Sequence, residues 1–167
     1  AHGVERIAIV DFDVHHGNGT EEIFAGDPRV LMVSTFQYPL YPYSGITPMG
    51  ANMLNVPLAP GSGSDAFREV VRSRWLPALE AHRPQLTLIS AGFDAHREDP
   101  LANLEFTDAD YAATLRHVGL GRLANELDRN ARWDRELPED EQQEVAFARL
   151  HGVPMTVKES YDVAGLP

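Results

Sequence analysis

Asp11, Asp13 and His15 alternate through the stretch Ile9-Val10-Asp11-Phe12-Asp13-Val14-His15. Side chains two residues apart in an extended segment point to the same side. All three therefore converge where the apolar run Arg6 to Phe12 ends. Ligand sites of open parallel sheets lie at the carboxyl ends of strands, and burying two carboxylates there without a counter-charge is costly. A bound cation is the simplest compensation. Taken alone, Asp-x-His reads first as a capped strand end, with Asp13 in a turn and the histidines in solvent. A second strand end alters that reading. Ser90-Ala91-Gly92-Phe93-Asp94-Ala95-His96 closes the apolar run Leu86 to Phe93, so Asp94 also lies at a carboxyl end. Asp13, His15 and Asp94 offer one nitrogen and two carboxylates, leaving positions open for water and substrate, as catalytic zinc sites do. The same donors also suit iron(II) or cobalt. His96 reads as a solvent-facing loop histidine. Ser90-Ala91-Gly92 lacks the leading glycine of a nucleophile elbow, and Gly17 and Gly19 lack the helix-opening fingerprint of a dinucleotide loop.

Strands must present these residues, and the apolar runs supply them. Arg6 to Phe12, Leu31 to Phe36, Met53 to Leu58 and Leu86 to Phe93 are continuous rather than alternating, the pattern of strands buried on both faces in a parallel sheet. Phe67, Val70, Val71, Trp75, Leu76 and Leu79 recur at helical spacing behind a cap at Ser64 or Asp65, with Pro84 just past the end. Pro77 falls inside this stretch and weakens the reading of its last turn, since a proline kinks or ends a helix. Thr107-Asp108-Ala109-Asp110 opens another helix, through Leu115. Strands alternating with helices give an α/β fold with a mostly parallel sheet flanked by helices.

The chain has 167 residues, no cysteine and a net charge of −11. Any zinc must therefore be held by histidine and carboxylates. The acidic balance argues against direct nucleic-acid binding and is compatible with cationic substrates, although much of it reads as solvated surface around Asp134 to Glu144. No apolar run is long enough to span a bilayer, and the first residues have no secretory-signal pattern. The expectation is a cytoplasmic protein without membrane contact.

Asp11-Phe12-Asp13-Val14-His15-His16-Gly17-Asn18-Gly19-Thr20 and Ser90-Ala91-Gly92-Phe93-Asp94-Ala95-His96, followed by Asp99-Pro100-Leu101, closely resemble two hallmark blocks of the histone deacetylase family. The likeness is greatest to class II enzymes and acetylpolyamine amidohydrolases. Tyr41-Pro42-Tyr43-Ser44-Gly45 resembles that family's aromatic-Pro-x-x-Gly segment, and the resemblance covers roughly residues 7–118. It implies an arginase/deacetylase-like fold, here incomplete, with Asp13, His15 and Asp94 as zinc ligands. It also implies a K+ site at Asp11 and Ser34 with the main chain of Asp13, His15 and Thr35. Backbone oxygens of Phe24, Asp27 and Val30 would help form a second monovalent-cation site. Tyr41 and Leu101 would line the tunnel admitting the acyl-lysine side chain, though ordinary packing explains them as readily. The implied reaction is zinc-dependent hydrolysis of N-acetyl amides of lysine or polyamines by a metal-activated water.

In that family a His-His pair upstream of the first block supplies the base, and a tyrosine after a glycine-rich segment stabilises the oxyanion. Neither occurs in these residues: His15 of His15-His16 is already a ligand, Tyr111 lies in an expected helix, and Tyr161 has the wrong context. From Gly119 onward the character changes, with helices expected over Leu120 to Arg135 and Glu141 to Leu150, then a loop into a short strand. Leu150 to Pro167 resembles the start of an amidase-signature hydrolase, in which a lysine matching Lys158 is the base of a Ser-cisSer-Lys triad; the serine-rich segment is absent here. The expected organisation is a partial deacetylase domain over 1–118 and an amidase-like fragment over 119–167. The alternatives are a catalytically silent metal-binding fragment and an amidase-type serine hydrolase fragment.

Overall fold

The computed structural model describes residues 3–118 and the backbone of Thr156 and Val157. The helices expected over Leu120 to Arg135 and Glu141 to Leu150, and both Lys158 and Tyr161, lie outside the described residues. Strands β1 (Ile7–Asp11), β2 (Val30–Gln37), β3 (Met53–Leu58), β4 (Leu86–Ala91) and β5 (Thr156–Val157) form one sheet in the order β3-β2-β1-β4-β5. Every pairing is parallel. Helices α1 (Asn18–Phe24), α2 (Ser64–Val70), α3 (Leu76–His82) and α4 (Asp108–His117) connect and flank it.

The continuous apolar runs become strands because both faces of the central pair are covered. On one face Ala8, Val10, Phe12, Val33, Ile89 and Ala91 pack with Phe67, Val71, Trp75, Leu79, Tyr111 and Leu115 from the helices. Phe67 stacks on Phe106 at 4.2 Å between centroids and meets Trp75 edge-on. Burying each such side chain contributes about 2 kcal/mol. On the other face Ile9, Val30, Met32 and Met53 form a smaller cluster closed by Phe24 and Ala25. Leu86 and Leu88, which share that face of β4, remain 42% and 45% exposed.

One local expectation holds with a change of helix type, and one requires correction. The helical stretch does not stop at Pro77: it passes through a π-helical turn, Val71–Trp75, into α3, where the proline sits in the first turn. A first-turn proline lacks only an N–H that α3 itself does not use, and the π turn just before it is of the single-turn kind found inside α-helices. The cap of α2 is Gly63 rather than Ser64 or Asp65, because Ser64 Oγ is engaged elsewhere, donating to Asp110 at 2.6 Å. At α4 the expected Thr107 cap holds, as a capping box with Asp110, and the helix runs to His117. Among the described residues no helix is long and apolar enough to cross a membrane.

Asp110 ties α4 to α2. Its fully buried carboxylate accepts from Ser64 Oγ, Arg68 Nε at 2.7 Å, and the Thr107 N–H and Oγ at 2.9 and 2.8 Å. Burial alone would raise its pKa, but the donors from Ser64, Thr107 and Arg68 outweigh it and hold the carboxyl below the ordinary value. A lowered carboxyl contributes stability that is present above the unfolded value and lost as pH falls through the folded one. Asp110→Ala is expected to cost about 2 kcal/mol at pH 7. Urea melts should show that difference shrinking below pH 4, and a pH-independent difference would exclude the charged hub as its cause.

Candidate metal centre

Parallel pairing places Asp11 beside Ser90, with both strands ending on the same sheet edge. Past β1 the chain turns under its own carboxylates: Asp11 Oδ1 accepts from the Asp13 N–H at 3.1 Å, and Asp13 Oδ1 from the His15 N–H at 2.7 Å. Asp94, arriving just after β4, accepts the Val14 N–H on Oδ1 at 2.9 Å. Its other oxygen lies 2.9 Å from His15 Nδ1, and Asp13 Oδ1 lies 3.1 Å from the same nitrogen. Potential ligand atoms of Asp13, His15 and Asp94 thus fall within 4.8 Å of one another. Asp13 and Asp94 are buried, while His15 keeps a partly open side.

The approach of β4 to β1 at this point requires glycine. A Cβ on Gly92 would strike the Asp13 carboxylate and lie 2.8 Å from Asp13 Cα. Electrostatically, the cluster is one imidazole held between two carboxylates. Hydrogen bonds to Asp13 first and Asp94 second push His15 up to about 9, against the opposing effect of burial. One imidazole nitrogen and two carboxylates, oriented by main-chain N–H groups, fit a divalent cation such as zinc.

The other expected residues are distributed around this point. Asp11 is buried opposite Ser34 on β2, with Thr35 next to it, and Ser34 Oγ lies 3.4 Å from Asn55 Oδ1. The carbonyl oxygens of Phe24, Asp27 and Val30 do converge, and at their centre is the side-chain amide nitrogen of Asn52, at 2.9, 3.1 and 2.9 Å. Tyr41 is exposed, with its ring edge-on to His15 at 6.4 Å between centroids. Leu101 is also exposed, its N–H donating to Asp99 Oδ1. His96 stands outside the cluster, 3.7 Å from Asp108 and stacked near Tyr111. The Tyr111 hydroxyl is buried 3.5 Å from the Phe93 carbonyl, and burial together with the Asp94 charge pushes its pKa far above the usual range.

Sequence reasoning missed a buried pair beside the site. His16 Nε2 lies 2.7 Å from Glu21 Oε2, and both side chains are almost wholly enclosed. Glu21 Oε1 accepts the Met49 N–H and Asn55 Nδ2, both at 2.9 Å, and Asn55 Nδ2 also reaches the Gly45 carbonyl at 3.1 Å. Gly45, at φ +93°, lies so flat on His16 that a Cβ would be 2.6 Å from its ring. Glu21 therefore pins the loop bearing Tyr41 to the segment bearing His15. Nothing in Glu21-Glu22 distinguishes the buried acid from a surface one; only the fold, which brings residues 45–55 over α1, reveals it.

A model of the "Histone deacetylase domain" family matches residues 1–128. The chain is 45% identical over 132 residues to histone deacetylase 14, chloroplastic, of Arabidopsis thaliana, a match covering 75% of this chain and 31% of that protein. It is 43% identical over 137 residues to a histone deacetylase-like amidohydrolase of Pseudomonas aeruginosa, covering 73% and 36%. The crystal structure of acetylpolyamine aminohydrolase from Burkholderia pseudomallei superposes with a TM-score of 0.63 at 32% identity, over 70% of this chain and 36% of that one. The chain thus spans about a third of the length of the curated relatives it matches.

Two outcomes follow from the geometry. Gly92→Ala is expected to abolish tight zinc binding, measured by competition with a chromophoric chelator, because Asp13 must move. Glu21→Ala is expected to speed amide exchange at residues 43–49 at least tenfold while leaving β1 and β4 protected, as read by hydrogen–deuterium exchange.

Proposed function

The chain belongs to the histone deacetylase family, and from that premise we propose that it contributes the metal-holding part of a zinc-dependent deacetylase acting on N-acetyl amides of lysine or polyamines. The observation that carries this reading is the convergence of Asp13, His15 and Asp94 at two adjacent strand ends. A divalent cation there supplies a Lewis acid that polarises the acetyl carbonyl and brings a water's pKa toward about 7. Its ligands would be Asp13, His15 Nδ1 and Asp94.

The chain's own residues supply orientation. Val14 N–H on one Asp94 oxygen leaves the other turned toward the site, whereas the His15 N–H fixes the very Asp13 oxygen, Oδ1, that faces His15 Nδ1. The Tyr41 ring beside His15 offers an apolar wall against which an aliphatic amine stem can lie, with Leu101 proposed as its counterpart. The surplus of acidic groups favours a cationic substrate. Asp11 and Ser34, with the main chain of Asp13, His15 and Thr35, offer an oxygen-only set suited to a hard ion such as K+. No described residue is assigned as general base or oxyanion donor.

Metal content decides the reading. The purified chain is expected to take up one zinc, and an Asp13→Ala, Asp94→Ala double variant none. Wild-type protein without zinc would sink the assembled-site reading. Because His15 must give up its proton to bind, apparent zinc affinity should rise about tenfold per pH unit and level off above about 9. The metal-free protein should show the reverse. A raised imidazole pKa contributes stability that is fully present below about 6.5 and lost as pH rises through about 9. Thermal melts with and without zinc across pH 6 to 10 read both trends.

A further inference from the structure

The oxygens of Phe24, Asp27 and Val30 point inward around one spot, the arrangement in which a bare monovalent cation is expected. The spot is filled by the chain itself. Asn52 Nδ2 donates to all three carbonyls at 2.9, 3.1 and 2.9 Å, its two hydrogens shared among three acceptors. The amide orientation is settled independently, since Asn52 Oδ1 accepts the Gly26 N–H at 2.9 Å; a flipped amide would face oxygen with oxygen and nitrogen with N–H. The main chain of Asn52 is held as well, its carbonyl accepting from the Met32 N–H at 3.0 Å. For a cation to enter, the side chain must leave, breaking four hydrogen bonds and stranding the Gly26 N–H.

We propose that Asn52 is a built-in substitute for a monovalent cation: its amide N–H groups, not K+, close the turn between α1 and β2. A cation and an amide nitrogen meet the same requirement, positive charge density aimed at the carbonyl lone pairs that remain after the Asp27 N–H has bonded the Phe24 carbonyl and the Val30 N–H the Asp27 carbonyl, both at 3.1 Å. The side chain meets it at all salt compositions, whereas a bound ion does so only in proportion to its concentration. The consequence is local. This corner holds the floor beneath Ile9, Val30, Met32 and Met53, the small cluster under α1, and its integrity is independent of the ion. The inference does not depend on zinc at Asp13, His15 and Asp94.

Thermal stability of the full chain in K+ and in tetramethylammonium at equal ionic strength separates the possibilities. Asn52→Ala removes the donor, and Asn52→Asp keeps the acceptor for Gly26 while facing three carbonyls with a carboxylate. Both variants are expected to melt about 5 °C below wild type in tetramethylammonium. K+ should recover part of that loss, most of all in Asn52→Asp, so that the K+-induced gain exceeds the wild-type gain. A cation at Asp11 and Ser34 contributes equally to all three proteins and cancels. Should Asn52→Ala fail to fold, Asn52→Asp carries the comparison. Crystals soaked in thallium(I), read by anomalous scattering, localise the effect: a thallium peak among these three oxygens is expected in Asn52→Asp and not in wild type. An equal K+ gain in wild type and variant, or thallium at that point in wild type with Asn52 turned away, overturns the proposal.

Discussion

Two carboxylates that cannot escape each other organise this molecule. Asp13 and Asp94 enter one enclosed point from neighbouring parallel strands, with ligand atoms within 4.8 Å. At an effective dielectric near 20, two full charges at that separation repel by about 3.5 kcal/mol. The fold accepts this because parallel strands deliver both loops to the same edge. What surrounds the pair consists of answers to its charge. Main-chain N–H groups of Val14 and His15 point at the Asp94 and Asp13 oxygens, Gly92 removes a Cβ that would force the strands apart, and His15 supplies a nitrogen that a proton or a cation can complete. The proton and the metal are alternative solutions to one electrostatic problem, so each excludes the other.

The elements and chemistry that depend on local pattern were legible in the residues. The apolar runs became parallel strands, the helical spacing from Phe67 to Leu79 became one continuous stretch, and Asp13, His15 and Asp94 met because the ends of two neighbouring strands are visible in a sequence, although Asp13 and His15 lie in a turn past β1 and not in an extended segment. What was illegible depends on contacts between distant segments. Ser64 looks like a cap, yet its hydroxyl serves Asp110, 46 residues away. Pro77 looks like a break, but whether a proline kinks a helix or heads its next turn depends on the preceding residues adopting a π turn. Glu21 looks like a surface acid until the segment around Asn55 folds over it.

Those distant contacts share a logic. Glu21, Asn52 and Asp110 are each a side chain with several acceptor or donor sites, placed where loop backbone approaches the core and its polar groups lack strand or helix partners. Glu21 serves the Met49 N–H, Asn55 and His16; Asn52 serves three carbonyls and one N–H; Asp110 serves the start of α4 and the flank of α2. Unsatisfied buried groups of this kind cost about 1–3 kcal/mol each. Concentrating several satisfactions in one residue makes that residue decisive and its neighbours tolerant. Such hubs have no sequence signature, because any Glu, Asn or Asp can act as one.

This division of labour bears on how the proposed chemistry is distributed. Asp13, His15 and Asp94 are fixed by strand pairing and main-chain hydrogen bonds that lie wholly within residues 7–94. The apolar wall at Tyr41 is fixed instead by the hub at Glu21 and rides on a loop. The proposed metal ligands and the proposed acyl-chain wall therefore depend on different interactions, although the Tyr41 and His15 rings stand edge-on at 6.4 Å between centroids. Loosening the Glu21 hub should alter what lies against Tyr41 without moving Asp13 or Asp94, whereas a Cβ at position 92 disturbs the carboxylates without reaching the loop. A site built this way can vary its rim while leaving the electrostatic problem at its centre, and its solution, unchanged.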